Sequence, residues 1–110
     1  MAFSEALAQR VRETLGKRKG ISERKMFGGL AFLLNGNMCC GVMGDLLMLR
    51  LGESGAAEAL AEPHVRPMDF TGRPMKNMVY VDPPGLASEE TLRKWVRQAV
   101  AFASSLPAKD

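Results

Sequence analysis

Apolar and polar residues alternate with two different periods along this chain, and the switches between them mark its elements. Phe3, Leu7, Val11 and Leu15 recur every four residues while Gln9, Arg10, Arg12 and Glu13 lie off that stripe, which predicts an amphipathic helix. Gly16 and Gly20 are its candidate stops, and Lys17 to Glu23 reads as a basic connector. From Gly28 to Leu51 the pattern becomes that of a three-strand meander. Asn35-Gly36 is a strong two-residue hairpin signal, and Gly44-Asp45 is a second candidate turn.

Two consecutive two-residue loops set a register in which paired positions sum to 71 across the first turn and 89 across the second. One face then holds Gly29, Ala31 and Leu33, then Met38, Cys40 and Val42, then Leu47, Leu49 and Leu51. The other holds Gly28, Leu30 and Phe32, then Cys39, Gly41 and Met43, then Leu46, Met48 and Arg50. The first face, wholly apolar, is the expected core. The second is apolar except at Arg50, which is unusual for an antiparallel sheet with one wet side.

Beyond the meander, Glu53 to Glu62 predicts a short helix with Ala56, Ala57 and Leu60 inward, stopped by Pro63. Strands near Arg66 to Thr71 and Met75 to Asp82 follow, joined through Thr71-Gly72-Arg73-Pro74, with Pro67 and Pro74 favouring an edge position. Ser88 caps a final helix whose stripe is Leu92, Trp95, Val96, Ala99, Phe102, Ala103 and Leu106. The order α-β-β-β-α-β-β-α predicts a two-layer α+β domain, with an antiparallel five-stranded sheet and helices on one face.

Composition adds limits. The 110 residues, 46% hydrophobic and 25% charged, suit one domain spanning 1–110. No leader pattern opens the chain and no apolar run approaches a membrane span, so a cytoplasmic location and no membrane partner are expected. The net charge of +3 is uneven. Arg10, Arg12, Lys17, Arg18, Lys19, Arg24 and Lys25 stand against only Glu13 and Glu23 in that stretch, a candidate basic patch for phosphate.

Chemistry is sparse. Cys39 and Cys40 are adjacent in a strand, so alternation puts them on opposite faces and an intrachain bridge is not expected. Cys40 reads as a small core hydrophobe, and Cys39 as the more exposed thiol with no visible activating partner. His64 is the only histidine and sits in a connector. Two cysteines and one histidine make no zinc spacing, and Gly28-Gly29 lacks the remainder of a phosphate loop. No catalytic residue, metal or cofactor is assigned. Seven of the eight methionines fall in the sheet region, as core filling or as an adaptable surface. The second meander face, with Leu30, Phe32, Met43, Met48 and Arg50, is the candidate partner surface, for a protein partner or a homodimer.

Several spaced blocks carry a resemblance. They are Lys25-Met26-Phe27-Gly28-Gly29, the Phe32…Asn35-Gly36…Met38 hairpin, Asp45-x-Leu47-x-Leu49-Arg50, Met68-Asp69-Phe70-Thr71-Gly72-Arg73-Pro74-Met75, Tyr80-Val81-Asp82-Pro83 and the Trp95 helix ending Val100-Ala101-Phe102-Ala103. Together they resemble the TfoX N-terminal domain family over nearly the whole chain. The resemblance implies a secretion-chaperone-like α+β fold and no catalytic residues. The family's founders are bacterial regulators of natural competence that act with the cyclic-AMP receptor protein at promoters. They carry a second, C-terminal domain to which nothing in residues 1–110 corresponds. The resulting expectation is a non-enzymatic interaction module of the transcription co-regulator kind, binding a protein or itself through its sheet. Direct nucleic-acid binding through Arg10 to Lys25, or small-ligand binding, are the alternatives.

Overall fold

The computed structural model describes residues 3–26, 28–68 and 75–107. In chain order the elements are α1 (Glu5–Leu15), β1 (Ile21–Met26), β2 (Gly29–Leu34), β3 (Asn37–Met43), β4 (Leu46–Arg50), α2 (Gly52–Ala59), β5 (Val65–Met68), β6 (Met75–Val81) and α3 (Glu89–Ser104), with a short 3₁₀ turn at Pro83–Leu86. The class is the expected α+β with an antiparallel sheet. The sheet has six strands, ordered β1-β2-β3-β4-β6-β5.

The additional strand is β1, in the stretch read as a connector. Its residues Ile21-Ser-Glu-Arg-Lys-Met carry little apolar alternation, because β1 is an edge strand. Charges on an edge deter pairing with other chains, which is why such a strand leaves a weak hydrophobic signal.

The helix caps follow the sequence closely. Ser4 Oγ accepts a hydrogen bond from the Leu7 amide at 3.2 Å, and Ser88 Oγ accepts one from Thr91 at 3.3 Å. α1 buries Leu7, Ala8, Val11 and Leu15, and α3 buries Leu92, Trp95, Val96, Ala99 and Ala103. α2 departs from expectation. Ala56 and Ala59 face inward, while Ala57 and Leu60 lie outside. Its helical run starts at Gly52, where positive φ (79°) and the Phe102 ring, 2.6 Å from any added Cβ, leave room only for glycine.

The meander contains the main correction. Asn35 and Gly36 both have positive φ (53° and 82°), matching the primed turn that Asn-Gly favours. Leu34 pairs with Asn37 and Leu33 with Met38, as the turn predicts. The register then shifts, and Phe32 pairs with Cys40, Ala31 with Gly41 and Leu30 with Val42. Cys39 is the extra residue of a β-bulge. Across the second turn the expected register holds, with Cys40 opposite Leu49 and Val42 opposite Leu47.

One extra residue exchanges the faces of β2. Leu30, Phe32 and Leu34 join Cys40, Val42, Leu47, Leu49, Val79 and Val81 under the helices, and Phe32 has no exposed surface. Ala31, which pairs with Gly41 opposite Met48, lies on the other side, and Met38 packs there too. Burying a phenylalanine side chain contributes about 1.5–3 kcal/mol relative to leaving it exposed, which favours the bulged register over the regular one. The buried Asn37 amide donates to the Pro107 carbonyl at 2.8 Å, tying the turn to the chain beyond α3.

The join expected at Thr71 to Pro74 lies outside the described residues.

Candidate functional site

The sheet face opposite the helices carries its own apolar cluster. Alternation from the core-facing Leu47, Leu49, Val79 and Val81 sends Met48, Met78 and Tyr80 to this side, where they pack with Met68. Met38, Met43 and Leu46 form its half-buried margin. Small residues make room for it: Met48 lies across Gly41, where an added Cβ would meet Met48 Cε at 2.6 Å and the Leu30 carbonyl at 2.7 Å. Flat methionines over glycine and alanine give a thin second layer.

Polar groups fasten this layer at two points. Tyr80 Oη donates to Met43 Sδ at 3.5 Å, and the Arg66 guanidinium lies over the Tyr80 ring, 5.6 Å from its centre, while paired with Asp82 at 3.0 Å. Arg50 makes a long contact of 3.5 Å to the Met38 carbonyl, and its guanidinium lies 5.7 Å from the centre of the Phe102 ring. Arg24 extends from β1 on the same side as Ala31, its ladder partner, and Lys76 alternates with Met78 in β6; both are exposed.

The five candidate partner-surface residues therefore do not share a surface. Leu30 and Phe32 are core residues beneath the helices. Met43 and Met48 remain together on the opposite face, with Met48 fully buried and Met43 half-buried. Arg50 spans from the Met38 carbonyl to Phe102 and is not a free rim cation. The bulge is the cause. Met38 and Tyr80 belong to the methionine face and were not expected there, whereas Leu46 was placed on it by the register; periodicity read across a bulge cannot find Met38.

The seven basic residues also divide. Arg10 donates to Glu89 at 2.7 Å and to the Leu86 carbonyl at 2.7 Å, joining α1 to the approach of α3. Arg12 pairs with Glu23 of β1 at 2.7 Å and with Glu5 at 3.5 Å. The guanidinium raises its own proton affinity through this hydrogen bond and holds the Glu23 carboxyl below its ordinary value. Arg18 turns back onto the last carbonyls of α1, with 2.6 Å to Leu15. Lys17 and Lys19 are exposed beside it, whereas Arg24 and Lys25 are consecutive in β1 and point to opposite faces. They form no single basic surface.

Two grooves flank α2. One, of about 370 Å³, runs between α2 and α3 along Leu51, Ala59, Trp95 and Gln98, with Lys94 bridging Glu62 at 3.3 Å and covering Trp95 at 4.4 Å. The other, of about 350 Å³, is lined by Ala56, Ala57, Leu60, Pro67 and Met78, with Glu53 and Lys76 at its ends. Leu60, 42% exposed, is the large hydrophobic most open to solvent among the described residues.

His64 precedes β5, whereas Cys39 and Cys40 are in β3, three strands away, about 14 Å at roughly 4.8 Å per strand. Among the described residues no three His, Cys, Asp or Glu side chains gather as a metal site. No helix among them is long and apolar enough to cross a membrane.

These features define a two-layer α+β domain whose sheet has a helix-covered side and a methionine-covered side. The chain belongs to the TfoX N-terminal domain family, whose family model matches residues 13–103. Comparison with curated proteins and with solved structures finds no match.

Proposed function

We propose that this chain is a non-enzymatic regulatory module that works by binding a protein partner through its methionine face. The observation that carries this reading is the arrangement of Met38, Met43 and Leu46, half-exposed around Met48 and Tyr80 on the sheet side away from α1 and α3, with α2 meeting it at Met78 and Lys76. Unbranched, polarizable side chains adapt to different shapes, which suits a binding surface better than a fixed catalytic pocket. Arg24 and Lys76 are exposed cations on this side, and Arg66, also exposed, is paired with Asp82. A partner with apolar residues flanked by carboxylates complements them, whereas a second copy would set cation against cation.

Met43→Glu and Leu46→Glu test this. Immobilised wild-type chain, incubated with extract of its own cells, retains a partner that both variants lose, while Gln98→Glu on the helix side retains it. Circular dichroism and the melting temperature stay near wild type in all three. Equal capture by all four proteins overturns the reading. Wild-type dimerisation in light scattering that Met43→Glu abolishes replaces it with self-association.

A further inference from the structure

The bulge at Cys39 has a chemical consequence. In a regular strand Cys39 and Cys40 would project to opposite faces; here both belong to the helix-side core and both are fully buried. Adjacent thiols on one side of a strand make a vicinal dithiol. The Arg18 guanidinium, anchored at 2.6 Å on the Leu15 carbonyl, lies close enough to act on Cys39.

We propose that Cys39 and Cys40 form a redox-active vicinal pair that closes reversibly into an intrastrand disulfide. The oxidant is a small-molecule disulfide, RSSR. Cys39 thiolate attacks one of its sulfurs, forming a mixed disulfide and releasing RS⁻. Cys40, on losing its proton, attacks the Cys39 sulfur and releases the second RS⁻. Two protein thiols thus lose two electrons and two protons, and one RSSR becomes two RSH.

The order of the steps follows from the surroundings. The neighbouring Cys40 and the positive charge of Arg18 hold the Cys39 thiol below the ordinary range, against the effect of burial. The same Cys39 contact and complete burial push Cys40 well above it. The thiolate is the nucleophile, so Cys39 attacks first and Cys40 resolves. Reversibility follows from covalent geometry. A trans peptide holds consecutive Cα atoms about 3.8 Å apart. Unstrained disulfides span at least about 4.4 Å. A strained disulfide is readily reduced, which is the behaviour of labile rather than structural bridges.

The test treats the full-length native protein with oxidised glutathione and follows thiol titre and intact mass. The expected product has lost both thiols together and the mass of two hydrogen atoms, with no glutathione attached, and dithiothreitol restores it. In Cys40→Ser the reaction stops at one glutathione adduct on Cys39. Digestion of the oxidised wild-type protein places the bridge within the single peptide following Lys25, which keeps the test independent of whether the variant folds. Separate adducts on the two cysteines, or a bridge between chains, overturn the proposal. So does oxidation no faster than global unfolding measured in parallel.

Discussion

The two faces of this one sheet bury apolar side chains by different means. On the helix side, Leu30, Phe32, Val42, Leu47, Leu49, Val79 and Val81 interlock with α1 and α3, which supply Val11, Trp95, Val96 and Ala99. Branched and aromatic side chains have few rotamers and reward a fixed partner. On the other side Met48 lies over Gly41 and packs with Met68, Met78 and Tyr80, and the margin of Met38, Met43 and Leu46 stays half-open. The first face specifies the fold through shape, while the second closes over itself with adaptable side chains. A single sheet can thus be rigid toward its own helices and compliant toward something else.

The sharpest way to break this comparison is to truncate the anchor of each face. Phe32→Ala and Trp95→Ala should each cost about 3–5 kcal/mol in urea melts, whereas Met43→Ala should cost less than about 1 kcal/mol because it leaves no enclosed cavity. A Phe32→Ala loss below about 1 kcal/mol would show that the faces are reversed. Deleting Cys39 tests the register itself. Without the bulge residue, Phe32 and Cys40 remain partners in an uninterrupted ladder, so the deletion should cost less than Phe32→Ala despite lying inside a core strand. An unfolded deletion variant would refute that pairing.

Gly41→Ala sharpens the contrast from the methionine side. The new Cβ would displace the flexible Met48 terminus easily, but at 2.7 Å it also meets the Leu30 carbonyl, which is part of the ladder. A cost of about 1–3 kcal/mol is expected, and Met48→Ala should recover only the part owed to the side-chain clash. The smallest effect belongs to the Arg12–Glu23 pair joining α1 to the edge strand. Glu23 is held below its ordinary value of 4.5, chiefly by its hydrogen bond with Arg12. Its contribution is therefore complete above 4.5 and is lost as pH falls below that value. With both partners about a third exposed, Glu23→Gln should cost at most about 1 kcal/mol near neutral pH, and wild type and variant should converge in acid.

Much of this fold is readable from residues that act locally. The Ser4 and Ser88 caps, the Asn35-Gly36 turn and the inward stripe of α3 each depend on neighbours within a turn or two, so residue type alone expresses them. The same holds for β4, whose core residues Leu47 and Leu49 sit beyond a regular two-residue loop. β1 escaped because an edge strand lined with Ser22, Glu23, Arg24 and Lys25 has the composition of a loop. Of the five candidate surface residues, Met43 and Met48 share the face away from the helices, whereas Leu30 and Phe32 lie beneath them.

By itself, then, the sequence determined the α+β class, the helices, the two tight turns and the family, because each rests on local periodicity or on motifs of consecutive residues. Which side of β2 faces the helices was decided only in three dimensions. Asn37 to Met43 has one residue more than a regular partner of β2 requires. Nothing local distinguishes a bulge at Cys39 from an unbroken ladder. The balance is set by whether Phe32 is buried beneath α3, a contact between positions far apart in the chain. That same long-range choice places two adjacent thiols on one side of a strand and leaves the methionines on the other.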